Sequence, residues 1–195
     1  NSISMLNRGS GTSSAGELVV LGWDPADTHT SNFWEELADV PWSSGSTIDT
    51  GTFAAKKYLW VQSYTTSSTS GWHELHFNAD AGSNYSYTNE IDDEPEATSI
   101  NNSNGLSPLI SAGSSFIFPQ TFSNYFIINN SANEKLVTGD SVYFSSTQTG
   151  AGNAPHTNQV AGKWANTSSQ ITRIQYNNQA GNSFDGGIIK VWGSD

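Results

Sequence analysis

The sequence AGKWANTSSQITRIQYNNQAGNSFDGGIIKVWGSD, residues 161–195, indicates the kind of secondary structure on which the whole fold is built. It predicts two β-strands around a polar turn, because apolar residues cluster at Ile171–Tyr176 and again at Ile188–Trp192. Asparagine, aspartate and glycine fill the stretch between them, and these residues tolerate the positive φ angles that turns require. We therefore expect the chain to finish in a strand that belongs to a sheet.

A similar alternation of apolar and polar residues recurs upstream. Residues 52–64 (TFAAKKYLWVQSY) predict a strand, and residues 72–78 (WHELHFN) predict another with Leu75 and Phe77 facing the core. Further strands are predicted at 17–23, 84–88, 115–118, 121–129 and, broken at Gly139-Asp140, within 135–144, with a long polar loop at 145–160. Short strands with turns about every 8–12 residues predict an all-β, antiparallel β-sandwich, and a jelly roll is the topology we favour.

One helix is expected near the N-terminus. Residues 31–40 (SNFWEELADV) begin with Ser31 and Asn32, which are good N-cap residues, and Pro41 ends the segment. Phe33, Trp34 and Leu37 would form its apolar face.

The expected organisation has two parts. Residues 1–16 are rich in serine and glycine and are interpreted as an arm or linker. With the helix, this arm makes an N-terminal attachment segment over 1–46, followed by the β-sandwich domain over 47–195. At 195 residues the chain has room for one well-buried domain.

The charge balance argues against several classes of function. The chain has 7 Lys and Arg against 18 Asp and Glu, for a net charge of −11, and it has no cysteine. Nucleic acids and anionic lipids both require clustered positive charge, so we expect neither as a partner. The absence of cysteine excludes disulfides and thiolate metal sites. No apolar run approaches the roughly 20 residues of a membrane-spanning helix.

An acidic loop is the first candidate for a binding site. Asp92, Asp93 and Glu94 lie in the sequence EIDDEPE, and several neighbouring carboxylates can bind Ca²⁺. The loop lacks the regular spacing of an EF-hand, so a solvated acidic loop is the alternative. No other cofactor is expected.

The residues around the 72–78 strand raise the question of catalysis. His73 and His76 would lie on opposite faces of a strand, which prevents them from sharing a zinc ion. Glu74 beside Trp72 resembles the acid-and-aromatic pattern of sugar-cleaving sites, but a second carboxylate at alternating spacing is missing from this strand. We therefore expect a protein that is not an enzyme.

Aromatic side chains suggest a surface that binds sugars. Trp72, Tyr85 and Tyr87 are the candidates for stacking on sugar rings, since Tyr85 and Tyr87 share one strand face. The alternative is that these rings fill the core.

Several phrases of the sequence resemble β-sandwich virion proteins of tailed bacteriophages, particularly marine ones. They are TFAAKKYLWVQSY (52–64), FNADAGSNYSY (77–87), FIINNSANEKLVTGDSV (126–142), AGKWANTSSQITRIQ (161–175) and FDGGIIKVWGSD (184–195). The resemblance implies a concanavalin-like or jelly-roll sandwich that serves as a tail-fibre, head-fibre or capsid-decoration module. It carries no set of catalytic residues.

The resemblance leads to an expected function. The chain would be a non-enzymatic structural protein on the outer surface of the virion, and its partners would be other capsid or tail proteins. A homo-oligomer is expected, and analogy with fibres suggests a trimer. The alternative is a carbohydrate-binding module that recognises glycans on the host surface.

Overall fold

The computed structural model describes residues 33–91, 98–109, 117, 119–144 and 149–195. The strands, in chain order, are β1 (Glu35–Trp42), β2 (Thr47–Asp49), β3 (Tyr58–Thr66), β4 (His73–Phe77), β5 (Tyr85–Ile91), β6 (Thr98–Ser103), β7 (Leu106–Leu109), β8 (Gln120–Ile128), β9 (Lys135–Phe144), β10 (His156–Trp164), β11 (Ile174–Asn178) and β12 (Gly186–Ser194). Nowhere in these ranges is there a helix long and apolar enough to cross a membrane.

The twelve strands form two antiparallel sheets. The larger has eight strands in the order β1-β12-β3-β8-β9-β10-β5-β6, and the smaller has four in the order β2-β11-β4-β7. One hydrophobic core joins them, with Leu59 and Val61 from the large sheet and Leu75 and Tyr176 from the small sheet all fully buried. The prediction of an all-β, sandwich-like fold is therefore confirmed.

Alternation along the strands decides which side chains reach the core. In β3, which the sequence predicts as a strand, Leu59 and Val61 are buried while Tyr58 and Trp60 point outward. In β4, Leu75 and Phe77 are buried, which also agrees with the prediction.

The helix predicted over residues 31–40 is wrong where the structure describes it, because Glu35–Trp42 forms strand β1. Ala38 pairs with Val191 and Val40 with Ile189, and both side chains pack on the core. Pro41 is tolerated because β1 is an edge strand, where a missing backbone N–H costs little. Pairing with β12 therefore overrides the local helical pattern.

Strand β1 comes from the segment 1–46 that the sequence analysis separates from the β-sandwich domain. Residues 33–195 form one compact unit, so this unit includes part of the attachment segment predicted over 1–46. The arm at 1–16 and the strand expected at 17–23 lie outside the described residues.

The last two strands exist but do not pair with each other. β11 pairs with β2 and β4, whereas β12 pairs with β1 and β3 in the other sheet. The loop at 179–185 passes between the sheets, and its Phe184 is fully buried while its backbone N–H donates to the Gly45 carbonyl at 2.9 Å. Burial of the Phe184 ring holds this loop in place where the chain passes from the small sheet to the large sheet.

Two other predictions need correction. β9 runs unbroken through Gly139, where the Tyr125 ring packs so closely on the backbone that a Cβ would have no room. Strand β10 begins at His156 and so takes up the last five residues of the loop predicted at 145–160. Its inward positions include Asn158 and Gly162, so the apolar signal of a strand is weak there.

Candidate functional site

Two of the three predicted sugar-stacking residues belong to the core. Tyr85 is 0% exposed and Tyr87 is 7% exposed, so neither ring offers a face to a sugar. The Tyr85 hydroxyl accepts a hydrogen bond from the Phe77 N–H at 2.9 Å and donates to the Asp80 carbonyl at 3.0 Å. Burial raises the pKa of both phenols. The stacking role predicted for this pair is therefore wrong, and the core-filling alternative holds.

Trp72, the third candidate, is half-buried beside a small open pocket. The pocket has a volume of about 200 Å³ and is lined by Gly71, Trp72, Gln179 and Ala180. The Gln179 N–H donates to the Trp72 carbonyl at 2.7 Å, which ties the two walls together. The pocket thus offers one aromatic and one amide side chain to a small ligand. The role of Trp72 stays a prediction.

The acidic loop that suggests calcium lies outside the described residues, and with it Asp92, Asp93 and Glu94. Within the residues that the structure does describe, no group of three or more His, Asp or Glu side chains is placed to hold a metal ion.

His73 is a neutral core residue. Its Nδ1 atom lies 3.1 Å from the Tyr176 hydroxyl, and its ring packs edge-on against Phe184 with centroids 4.9 Å apart. Burial lowers the pKa of His73 from 6.5 to about 3, because an imidazolium ion would lose its hydration there. His73 therefore supports packing and is not available as a surface ligand.

Glu74 and His76 form a pair on the opposite face of β4. The Glu74 Oε2 atom lies 3.3 Å from His76 Nε2, since residues two apart on a strand share a face. Glu74 is nonetheless only 5% exposed, and Gly105 packs directly against both side chains. A glycosidase acid must reach the glycosidic oxygen, and a closed site of this kind does not give it access.

Asp80 organises the loop between β4 and β5. Its carboxylate accepts hydrogen bonds from Trp164 Nε1 at 2.7 Å, the Gly82 N–H at 2.9 Å and Asn84 Nδ2 at 2.9 Å. Desolvation acts to raise its pKa, but the bonds from Trp164, Gly82 and Asn84 hold the pKa below its usual value. This carboxylate is fully used in holding the fold.

The feature that sequence reasoning missed is the outer face of the eight-stranded sheet, the face turned away from the small sheet. Large apolar side chains on β3, β8 and β9 remain well exposed there: Tyr58, Tyr64, Phe122, Phe126, Ile128, Leu136 and Val142. Trp60 lies among them, 4.8 Å from Trp192 and stacked on Phe126 at 5.9 Å between ring centroids. An exposed apolar surface of this extent marks an interaction site.

Part of this face forms a groove of about 460 Å³, which we call the apolar groove. Its lining includes Phe33, Trp34, Tyr58, Phe126, Ile128 and Leu136, with Thr138 and Ser194 as its polar members. A signal for it exists in residues 121–129, where both alternating sets carry apolar side chains. A strand with one solvated face shows them on one set only.

Comparison with known proteins finds no matching family model, no similar curated protein and no similar solved structure. The resemblance to phage virion proteins therefore rests on the phrases of the sequence alone.

Proposed function

We propose that this chain is a non-enzymatic structural protein on the outer surface of a phage particle, as a capsid-decoration or fibre subunit. A jelly-roll relationship is part of the proposal. The observation that supports it best is the way buried amide side chains lock the loops of a cysteine-free sandwich. Such locking suits a protein that must survive outside cells without disulfides.

Asn129 is the clearest of these locks. Its side chain is 0% exposed and donates to the carbonyls of Lys56 and Ile171 at 2.9 and 3.0 Å. Its Oδ1 atom accepts from the Ile171 N–H at 2.6 Å. One amide thus joins the end of β8 to two loops that are distant in sequence.

Asn78 makes a second lock at the end of β4. Its Oδ1 atom accepts from the Thr172 and Arg173 N–H groups at 2.9 and 3.2 Å, and its Nδ2 atom donates to the Gln170 carbonyl at 2.9 Å. Asn78 adopts a φ of 55°, a conformation that asparagine tolerates better than most residues. Loops held in this way resist the local opening that proteases require.

The location on the particle is tested with an antibody raised against residues 33–195. Virus particles from the source of the sequence are purified by density, labelled with the antibody and gold, and analysed by peptide mass spectrometry. We expect surface labelling and peptides of this chain in the particle band. Peptides confined to particle-free fractions would contradict the proposal.

A second candidate function is carbohydrate binding, which the half-buried Trp72 beside Gln179 favours. The test is a glycan array with and without calcium, on the wild type and on Trp72→Ala. Binding that Trp72→Ala removes would support this function, and Gln159→Ala, an exposed change on β10, is the control. No signal under either condition would exclude it for the glycans tested.

A further inference from the structure

The outer face of the large sheet has a regular arrangement across its four central strands. These strands lie in the order β12, β3, β8 and β9, and each row of paired residues crosses all four. One row is polar and runs Lys190, Gln62, Asn124, Asp140. The rows on either side are apolar: Trp192, Trp60, Phe126, Thr138 on one side and Ile188, Tyr64, Phe122, Val142 on the other.

Charge is sparse on the four central strands of this face, and Asp39, Glu90 and Lys163 lie on the strands that flank them. On the outward positions of the four strands, Lys190 and Asp140 are the charged side chains, and they have opposite signs. They also stand at the two ends of the same row. The chain as a whole has a net charge of −11, so two copies repel each other over most of their surface. The four central strands add no net charge to that repulsion, because Lys190 and Asp140 cancel.

We propose that two copies of this chain pack face to face through the outer surface of the eight-stranded sheet. The two-fold axis would run parallel to the strands, between β3 and β8. Such an axis reverses the order of each row, so that Lys190 of each copy faces Asp140 of the other. It also places Gln62 opposite Asn124, which pairs an amide with an amide.

The same axis matches the apolar rows. Trp60 faces Phe126, and Tyr64 faces Phe122, so aromatic rings meet aromatic rings in both directions. Sheets stack about 10 Å apart, a distance that a lysine and an aspartate together can span. Within one copy Lys190 also pairs with Asp39 of the edge strand β1 at 2.7 Å, so its ammonium group would lie between Asp39 of its own copy and Asp140 of the other.

A second copy fits the apolar groove better than a sugar does. A sugar brings hydroxyl groups that need hydrogen-bond partners, and the groove offers mainly the hydroxyls of Thr138 and Ser194. An apolar protein surface has no such requirement, and burying the exposed rings against it is favourable. A two-fold interface requires a surface that complements itself. This face meets that requirement, because it carries both members of the Lys190–Asp140 pair and aromatic rings on both sides of the axis.

The mass of the full chain in solution tests this pairing. Light scattering should give twice the 20.9 kDa monomer mass, rather than the threefold mass that analogy with fibres suggests. Asp140→Lys and Lys190→Glu should each lower the dimer affinity at least tenfold, because like charges then face each other. Glu90→Lys is the control for Asp140→Lys. It makes the same charge change on β5, outside the four strands that would face the other copy.

Mixing the two charge variants provides the decisive comparison. In a mixed dimer, the native Lys190 of one copy again faces the native Asp140 of the other. The two substituted positions face each other at the opposite end of the row, where they form an ion pair with its charges exchanged, so the dimer mass should return. A monomeric or trimeric wild type, or a mixture that stays monomeric while both variants remain folded by circular dichroism, would overturn the proposal.

A further variant covers the case in which Lys190→Glu disturbs β1. Phe126→Asp should give a folded monomer, because that ring is 47% exposed within one copy, whereas Phe126→Leu should remain dimeric. A dimer that survives Phe126→Asp would overturn the proposal. These measurements use the isolated chain, so they are independent of whether it occurs on virus particles.

Discussion

The Nδ1 atom of His73 lies 3.1 Å from the hydroxyl of Tyr176, at a point where neither side chain reaches solvent. The two residues come from neighbouring strands of the small sheet, and their rings also meet edge-on at 5.3 Å. Burial lowers the pKa of His73 to about 3 and raises that of Tyr176 to about 12. Both groups are therefore neutral over the whole physiological range, and the core depends on their staying so.

This relationship predicts how stability depends on pH. The unfolded chain takes up a proton at His73 below about pH 6.5, whereas the folded chain does so only near pH 3. The stabilisation is complete above pH 6.5 and falls as the pH drops, by about 2 kcal/mol between pH 7 and pH 5. Urea unfolding at several pH values measures it, and between pH 7 and pH 5 the stability of His73→Gln should fall by about 2 kcal/mol less than that of the wild type. An equal slope in both proteins would contradict the prediction.

The ion pair between Asp49 and Arg173 predicts a different pH range. Arg173 binds both carboxylate oxygens of Asp49, and with help from Gly51 and Gln175 it lowers the pKa of Asp49 from 3.8 to about 2. This stabilisation is present above pH 3.8 and is lost as the pH falls through 2. Because both side chains are about one third exposed, we expect Asp49→Asn to cost about 1 kcal/mol at pH 7. Chemical denaturation measures the loss, which should vanish near pH 2.

Asn129 should be among the residues most sensitive to truncation. Asn129→Ala leaves buried carbonyls of Lys56 and Ile171 and the Ile171 N–H without their partner. We expect a loss of about 3 kcal/mol in the free energy of unfolding. Asn130→Ala, one residue along, is the control and should change it by less than about 0.5 kcal/mol. Similar losses in both variants would show that the lock is unimportant.

Gly139 tests the packing of the large sheet. Gly139→Ala places a methyl group against the Tyr125 ring and the Asn124 carbonyl, so we expect a loss of about 1–3 kcal/mol. Gly152→Ala meets no atom within 4 Å and is the control. Thermal melts of the two variants compare them directly. A melting temperature unchanged in Gly139→Ala would mean that the ring can move aside.

The sequence predicts strands well where one residue set is apolar and the other polar. β4 is the best example, since Leu75 and Phe77 lie in the core as the alternation indicates. It fails at β1, where hydrogen bonds to β12 decide the conformation of Glu35–Trp42. It also fails to show that β11 and β12 belong to different sheets, because pairing partners are a property of the whole fold. The alternation of apolar and polar residues within a strand does not identify the distant strand with which it pairs.

Candidate sites are harder to predict for a related reason. Tyr85 and Tyr87 share a strand face, but alternation alone does not tell which face is the buried one. The outer apolar face was missed because its residues are spread over β3, β8 and β9, and only the sheet brings them together. Composition predicts that such rings exist, and only the register predicts where they meet.

Strand β12 lies between β1 and β3, and this has a consequence for biosynthesis. Glu35 pairs with Gly193, so the first described strand waits for a partner that is synthesised more than 140 residues later. While a ribosome is still translating the chain, β1 and one edge of β3 have no neighbour, and the large sheet cannot close before residues 186–194 emerge. Non-local pairing of this kind makes folding slow, and the large sheet is completed only after residues 186–194 have been synthesised.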